Sequence, residues 1–313
     1  MPELPDVVLY LEALAPRVAG QRLDSIRILN PFVLRTVEPP PAALVGRRID
    51  ALHRIGKQIV FAFEGDHYLV VHLMIAGRFQ WKGQGPARPS RIVHAMLGFP
   101  TGVLLLTEAS TRKRAALHVV AGASALGSFD RGGIEVLDAD LESFRAALRR
   151  ENRTLKRALT DPRFLSGIGN AYSDEILHRA RLSPLRQTRQ LDDAEWVRLH
   201  EAARAVLAEW IERLRRATGD AFPAKVTAFR DGMAVHGRYR QPCPDCGSLV
   251  QRIVYAENEC NYCPRCQTGG RLLADRALSR LLRDDWPRTL EELEERKANL
   301  TNPARAGDAA PPD

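Results

Sequence analysis

The chain has 313 residues, 45% of them hydrophobic, and a net charge of +8. That apolar fraction excludes a disordered chain, and the length sets an expectation of two domains. No apolar run reaches the ~18 residues of a membrane span, and the start, MPELPDVVLY, carries acids where a secretory leader carries bases, so we expect a cytosolic, bacterial-like protein.

The pattern opens with a helix over 6–18, where Val7, Leu11, Leu14 and Val18 recur at helical spacing. Pro16 is expected to kink or shorten its end, and Gly20 to stop it. From 22 to about 120 the texture changes to short β-prone runs: RLDSIRIL, KQIVFAF, YLVVHLM, GVLLLTE and AALHVV. Turns such as Glu64-Gly65-Asp66 and Pro100-Thr101-Gly102 divide them, which reads as an antiparallel sandwich or barrel. Residues 121–139 are Gly- and Asp-rich and read as a linker. Asp140 then caps a helix bearing Leu141, Phe144 and Leu148 on one face. A long helix starts near Asp192, with Glu195 placed as in a capping box. Its apolar stripe is Trp196, Leu199, Ala203, Val206, Trp210 and Leu214, and Gly219 ends it. From about 300 the chain is Ala/Pro/Gly/Asp-rich and is expected to be disordered. Whether Asp284–Lys297 forms a helical extension with a partner stays open.

All five cysteines lie between Cys243 and Cys266, which in a cytosolic chain points to a metal rather than disulfides. Cys243 and Cys246 form one C-x-x-C knuckle, Cys263 and Cys266 another, and the β-prone stretch between them fits a hairpin with a Glu257-Asn258 turn. Four thiolates on two knuckles suit one tetrahedral, structural Zn²⁺. Cys260 also makes a C-x-x-C pair with Cys263; we prefer 263 and 266 because both chosen knuckles read C-P-x-C, which leaves Cys260 as a free thiol.

Pro2 follows the initiator Met1, which a small neighbour lets the cell remove, so the mature chain is expected to begin with a secondary amine. An α-amine titrates near ~7.7–8.0 and is partly neutral at physiological pH. Attack by such an amine on a deoxyribose C1′ can displace a base and leave an iminium, and Glu3 beside it can protonate the sugar ring. Read alone, Met-Pro-Glu is an ordinary start.

Taken in order, PELPDVVLYLEALAPRVAG, RIGKQIV, FLSGIGNAYSDEIL and the cysteine module resemble the formamidopyrimidine-DNA glycosylase / endonuclease VIII family, over residues 1 to about 270. The resemblance implies an α+β multidomain fold. An antiparallel β-sandwich with an N-terminal helix (1–125) and a linker (126–139) would precede a helical helix–two-turns–helix domain (140–235). A zinc-finger β-hairpin (236–270) and a partly disordered C-terminal extension (271–313) would follow. It implies a base-excision-repair DNA glycosylase with abasic-site lyase activity. Pro2 would be the Schiff-base nucleophile, Glu3 the general acid and Lys57 a phosphate grip. Asn170, after Gly169 in the Gly-Ile-Gly-Asn turn, would bind phosphate. Glu175 matches the family pattern too, with a structural role at least as well supported as a catalytic one. The partner would be double-stranded DNA with damaged bases or abasic sites, bound by a monomer.

The sequence departs from that pattern at several points. Asp6 stands where the family usually has Glu. Asn258 replaces an arginine at the hairpin tip and cannot clamp a phosphate with two charged hydrogen bonds; Arg252 or Arg265 are the available substitutes. The void left by the flipped base is usually filled by Met, Arg and Phe. Here Ile75 takes the Met position with Met74 beside it, and Thr111-Arg112-Lys113-Arg114 lacks the Phe. Met74 either fills the void or is a core residue on a strand; Arg112 and Arg114 either fill space or contact phosphate. The short segment Phe229 to Gly237 shifts the expected lesions toward oxidised pyrimidines, ring-opened purines, abasic sites or bulkier adducts. Two other readings are a non-catalytic binder of damaged or branched DNA on the same scaffold, and a zinc-ribbon protein that binds RNA or a protein partner.

Overall fold

The computed structural model describes residues 1–83, 90–223, 226–227, 229–255, 258–273 and 287–301. Residues 256–257 at the hairpin tip, the side chain of Asn258, and most of the expected C-terminal extension (274–286 and 302–313) lie outside the described residues. By compactness the chain divides into two units that interleave along the sequence. The first is 1–150, 158–169 and 203–230; the second is 151–157, 170–202 and 231–313.

In the first unit, helix α1 (Leu4–Val18) is set by its N-terminus. Pro5 occupies the first turn, where a missing N–H costs nothing, and the Asp6 carboxylate accepts the Glu3 N–H at 2.9 Å. Pro16 falls in the last turn and the helix runs past it to Val18, so it does not cut the helix short.

Eight strands follow: β1 (Ser25–Ile28), β2 (Ile49–Ile55), β3 (Gln58–Phe63), β4 (His67–His72), β5 (Gly77–Lys82), β6 (Val93–Phe99), β7 (Gly102–Glu108) and β8 (Ala116–Ala121). They form two antiparallel four-stranded sheets, ordered β1-β6-β7-β5 and β2-β3-β4-β8. Alternation sends Ile59, Phe61 and Phe63 of β3 and Leu69 and Val71 of β4 to one face. There they share a core with Leu97, Leu104 and Leu106 of the other sheet and with Val7, Tyr10 and Leu14 of α1, which makes the layers a sandwich. Val60, Val70 and Val120 point the other way and are covered by Leu126 and Phe129. Short helix α2 (Ala123–Gly127) ends there, and Ile134 pairs with Leu165 in an isolated bridge.

Helix α3 (Leu141–Arg149) is capped by Asp140, whose Oδ1 accepts the Ser143 N–H at 2.8 Å. Helices α4 (Leu155–Thr160), α5 (Asn170–Arg179) and α6 (Asp193–Thr218) follow. The capping box opens α6: Glu195 N–H donates to Asp192 Oδ1 at 2.8 Å, and Asp192 N–H to Glu195 Oε2 at 3.1 Å. The whole stripe from Trp196 to Leu214 is buried, and Gly219 takes a φ of +53° after the last turn. In the second unit β9 (Gln251–Tyr255) and β10 (Asn258–Tyr262) pair antiparallel, followed by α7 (Pro264–Thr268) and α8 (Leu290–Thr301). Among the described residues no helix is long and apolar enough to cross a membrane.

Candidate active site and cysteine centre

The first unit gathers its chemistry around the start of α1. Leu4 N–H donates to Gly167 O at 2.9 Å, and Glu3 Oε2 accepts the Gly169 N–H at 2.7 Å. The two glycines are required by contact. A Cβ at Gly167 (φ +82°) would fall 2.7 Å from Leu4 Cβ. One at Gly169 would fall 2.6 Å from the Glu3 carboxyl carbon and 2.8 Å from Lys57 Nζ. Glu3, Lys57 and Gly169 therefore converge on one small volume, with Glu3 buried.

Lys57 is presented by the turn between β2 and β3, where Gly56 takes a φ of +60°. Arg54 braces that turn: Nη1 donates to Gly56 O at 3.2 Å and to Ser166 Oγ at 3.1 Å, and Nη2 pairs with Glu135. The β3–β4 register sets Gln58 opposite His72. The His72 Nε2 is buried without a partner, and burial, then Lys57 and His118, push its pKa down to about 4. The ring is thus neutral and leaves one nitrogen for a ligand. Sequence reading missed it; its signal was a histidine closing β4 directly before the Leu73–Gly77 turn.

The chain's α-amine at Met1 is half-buried. Burial pushes its pKa below the usual value, Glu3 opposes that, and Arg78 reinforces it. Asp6 is buried and pairs with Arg230 at 2.5 Å, another residue the sequence reading did not single out. Burial raises the Asp6 pKa, and Arg230 opposes the rise.

Met74 lies in the turn between β4 and β5, half-buried with a φ of +53°, rather than on a strand; Ile75 beside it is 51% exposed. In the segment after β7, the buried Glu108 carboxylate accepts the Arg114 N–H at 3.0 Å and the Ala115 N–H at 3.2 Å, and Lys113 Nζ donates to Glu108 O at 2.7 Å. That clamp leaves Arg112 exposed and Arg114 half-buried.

In the second unit Asn170 starts α5, and its amide donates to Glu259 O on β10 at 2.7 Å. The amide keeps a second N–H for another acceptor. Glu175 is anchored: its carboxylate accepts the N–H groups of Ala234 (2.7 Å), Val235 (2.9 Å) and His236 (2.9 Å), which fits a structural role. Asp174, fully buried, accepts from Lys156 Nζ at 2.5 Å, His236 Nδ1 at 2.8 Å and Asn261 N–H at 3.2 Å. That network was not visible in the sequence. In β9 and β10, Arg252 pairs with Glu259 at 3.2 Å and lies over the Tyr239 ring.

Cys243, Cys246, Cys263 and Cys266 bring their sulfurs within 4.8 Å of one another. The Cys246–Cys263 separation is 3.4 Å and Cys243–Cys266 is 3.9 Å. Bonds of about 2.3 Å in a tetrahedron place sulfurs ~3.8 Å apart, so the set fits one metal ion. Burial pushes the Cys263 and Cys266 thiols above their usual range, while at Cys246, against its burial, hydrogen bonds from Ser248 bring the thiol down to about 7. His178 Nε2 lies 3.3 Å from Cys243 Sγ, a position suited to orienting that ligand. Cys260 is buried on β10 outside the quartet, its thiol pKa raised by burial and by Asp174.

Comparison with known proteins gives this arrangement its class. Residues 1–115 match the formamidopyrimidine-DNA glycosylase N-terminal domain and residues 134–220 its H2TH domain. A formamidopyrimidine-DNA glycosylase of Heliobacterium modesticaldum is 34% identical over 281 residues, covering 85% of this chain and all of that protein. The crystal structure of the MutM (Fpg) protein of Thermus thermophilus superposes with a TM-score of 0.71 at 35% identity, over 85% of this chain and 98% of that one. The Lactococcus lactis Fpg in complex with an abasic site containing DNA gives 0.74 at 26% identity, over 85% and 99%. The fold is that of a DNA glycosylase of base excision repair. The chain belongs to the formamidopyrimidine-DNA glycosylase family.

Proposed function

We propose that the chain removes damaged bases from duplex DNA and then nicks the strand as an abasic-site lyase, with the amine of Pro2 as nucleophile after loss of Met1. The observation that carries this reading is the convergence of Glu3, Lys57 and Gly169 at the start of α1, with Glu3 Oε2 2.7 Å from the Gly169 N–H. The Met1 α-amine, one residue before Pro2, has its pKa lowered, chiefly by burial.

In the proposed sequence the Pro2 nitrogen lone pair attacks C1′ and the glycosidic electron pair leaves with the base. Glu3 delivers a proton to the sugar ring oxygen, which opens as the iminium forms. Loss of a C2′ proton then expels the 3′ phosphate by β-elimination, and a second, δ-elimination can follow. Lys57 supplies a point charge to the phosphate beside the lesion, and the neutral His72 ring a donor. Asn170, Arg112 and Arg114 are further candidates for phosphate contact, and the Met74–Ile75 turn for the space of the flipped nucleotide. The Lactococcus lactis relative bound to abasic-site DNA supports duplex DNA as the partner. The quartet of cysteines would hold one Zn²⁺, closing the knuckles with no open position for chemistry. A monomer acting in the cytoplasm is the working form, with oxidised pyrimidines, ring-opened purines and abasic sites as substrates.

Borohydride trapping on a duplex with one abasic site tests this. Native protein is expected to give a covalent adduct. Protein extended before Pro2 should give none, and Glu3→Gln should slow base release. Tight binding without any adduct would leave a damaged-DNA binder instead.

A further inference from the structure

The mechanism above does not use Arg230. It lies 224 residues from Asp6 in sequence, yet its Nη2 meets Asp6 Oδ1 at 2.5 Å. Asp6 is buried and Arg230 half-buried: their side chains are 2% and 15% exposed. The Arg230 Nε is buried with no hydrogen-bond partner, and Nη2 donates a charge-assisted hydrogen bond to Asp6. Burying an arginine with one donor unsatisfied is costly unless its charge is needed. The other Asp6 oxygen accepts the Glu3 N–H at 2.9 Å, which belongs to the Pro2–Glu3 peptide. One carboxylate thus links Arg230 to the peptide that carries the proposed nucleophile.

The charges around the amine explain why this matters. Around the Met1 α-amine, one residue before Pro2, Glu3 and Asp6 supply negative charge, and Arg78 of β5 and Lys57 of the β2–β3 turn supply positive charge. Tyr10, Arg230 and Glu108 are the further charged or titratable groups around Asp6 and Arg78. A bare Asp6 carboxylate would favour the protonated amine, the form that cannot attack.

We infer that Arg230 is a positioning residue: it cancels the Asp6 carboxylate beside the N-terminal amine and fixes the Pro2–Glu3 peptide, so that the amine is aimed and kept available as a nucleophile. This rests on the lyase reading above and deepens it. It also accounts for the shorter acid at position 6, since Asp6 reaches the Glu3 N–H within the first turn while its second oxygen meets Arg230.

The test has two readouts on the mature full-length protein. The first titrates the terminal amine by NMR on ¹⁵N-proline-labelled protein; the second is the pH profile of single-turnover borohydride trapping. Arg230→Met is expected to raise the amine titration and move the acid limb of trapping to higher pH. On that limb the trapping rate falls about tenfold for every pH unit by which the amine titration rises. Arg230→Lys should restore most of it. Asp6→Asn alone should shift the amine the other way, and Asp6→Asn with Arg230→Met should return it to the native value. That neutral pair decides the matter if Arg230→Met does not fold. An amine titration unmoved by both single substitutions, or trapping reduced equally at every pH, would overturn the inference and leave Arg230 a packing residue. If the native protein gives no adduct at any pH while the titrations shift as expected, the lyase reading falls and the charge pairing stands.

Discussion

The N-terminal cluster and the cysteine cluster both crowd ionisable groups out of water, and they do it by opposite means. Around α1 every buried acid has a partner within the chain: Glu3 takes the Gly169 N–H, and Asp6 takes the Glu3 N–H and Arg230. Four sulfurs lie within 4.8 Å of one another, a set with the geometry to hold one metal ion. The first arrangement is satisfied from within the chain; the second has the geometry for a ligand from outside it.

Metal removal should break this symmetry most. Structural zinc contributes on the order of 10–16 kcal/mol to zinc-finger peptides, so a chelator or Cys243→Ser should unfold the knuckles and the β9–β10 hairpin. Hydrogen exchange should report lost protection over 241–268 with β3 and β4 still protected. Loss of protection in β3 and β4 as well would mean that the N-terminal cluster is not self-sufficient. The next effect should come from Glu3→Gln, with base release about 10²–10⁴-fold slower and little change in melting temperature. Gly169→Ala is expected to approach it, since the added carbon would lie 2.6 Å from the Glu3 carboxyl and displace it.

A pH titration of stability sharpens the same contrast. His72 has its pKa pushed down to about 4 from an ordinary 6.5, so the unfolded chain binds the proton more readily. Its contribution is full above pH 6.5 and is lost as pH falls through about 4, by at most on the order of 3 kcal/mol. Denaturant unfolding between pH 7 and 4.5 should show that loss, and His72→Gln should flatten it. An unchanged slope would mean that His72 is charged in the fold and meets an acid not seen around it.

What the sequence disclosed follows the range of the interactions. The cysteine quartet was legible because its spacing is local, and so were the Asp192–Glu195 capping box and the Trp196–Leu214 stripe. Strands β2, β5 and β6 were not picked out. In IDALHRI and GRFQWK polar residues interrupt the apolar run, and VHAMLGF packs residues on both faces, which blurs alternation. Lys57 and Asn170 were named through family resemblance; the chemistry open to Pro2 and Glu3 could be stated from the residues, but Met-Pro-Glu alone is an ordinary start. His72 and Arg230 were missed because each gains meaning only from a distant partner, Lys57 across a strand pair and Asp6 across most of the chain.

The smallest expected effect concerns the loop after β7. Glu108 pins the backbone of Arg114 and Ala115, so Arg112 is displayed on a fixed turn and not on a floppy one. A single exposed arginine on phosphate releases about one counterion. Arg112→Ala should therefore weaken duplex binding evenly across sequences and reduce the slope of log affinity against log salt by about 0.9. Binding measured over a series of salt concentrations, on intact and abasic duplexes, checks this. A loss confined to the abasic duplex with the slope unchanged would place Arg112 in the space left by the flipped nucleotide instead. The N-terminal cluster would then share lesion recognition with a side chain that carries no catalytic charge.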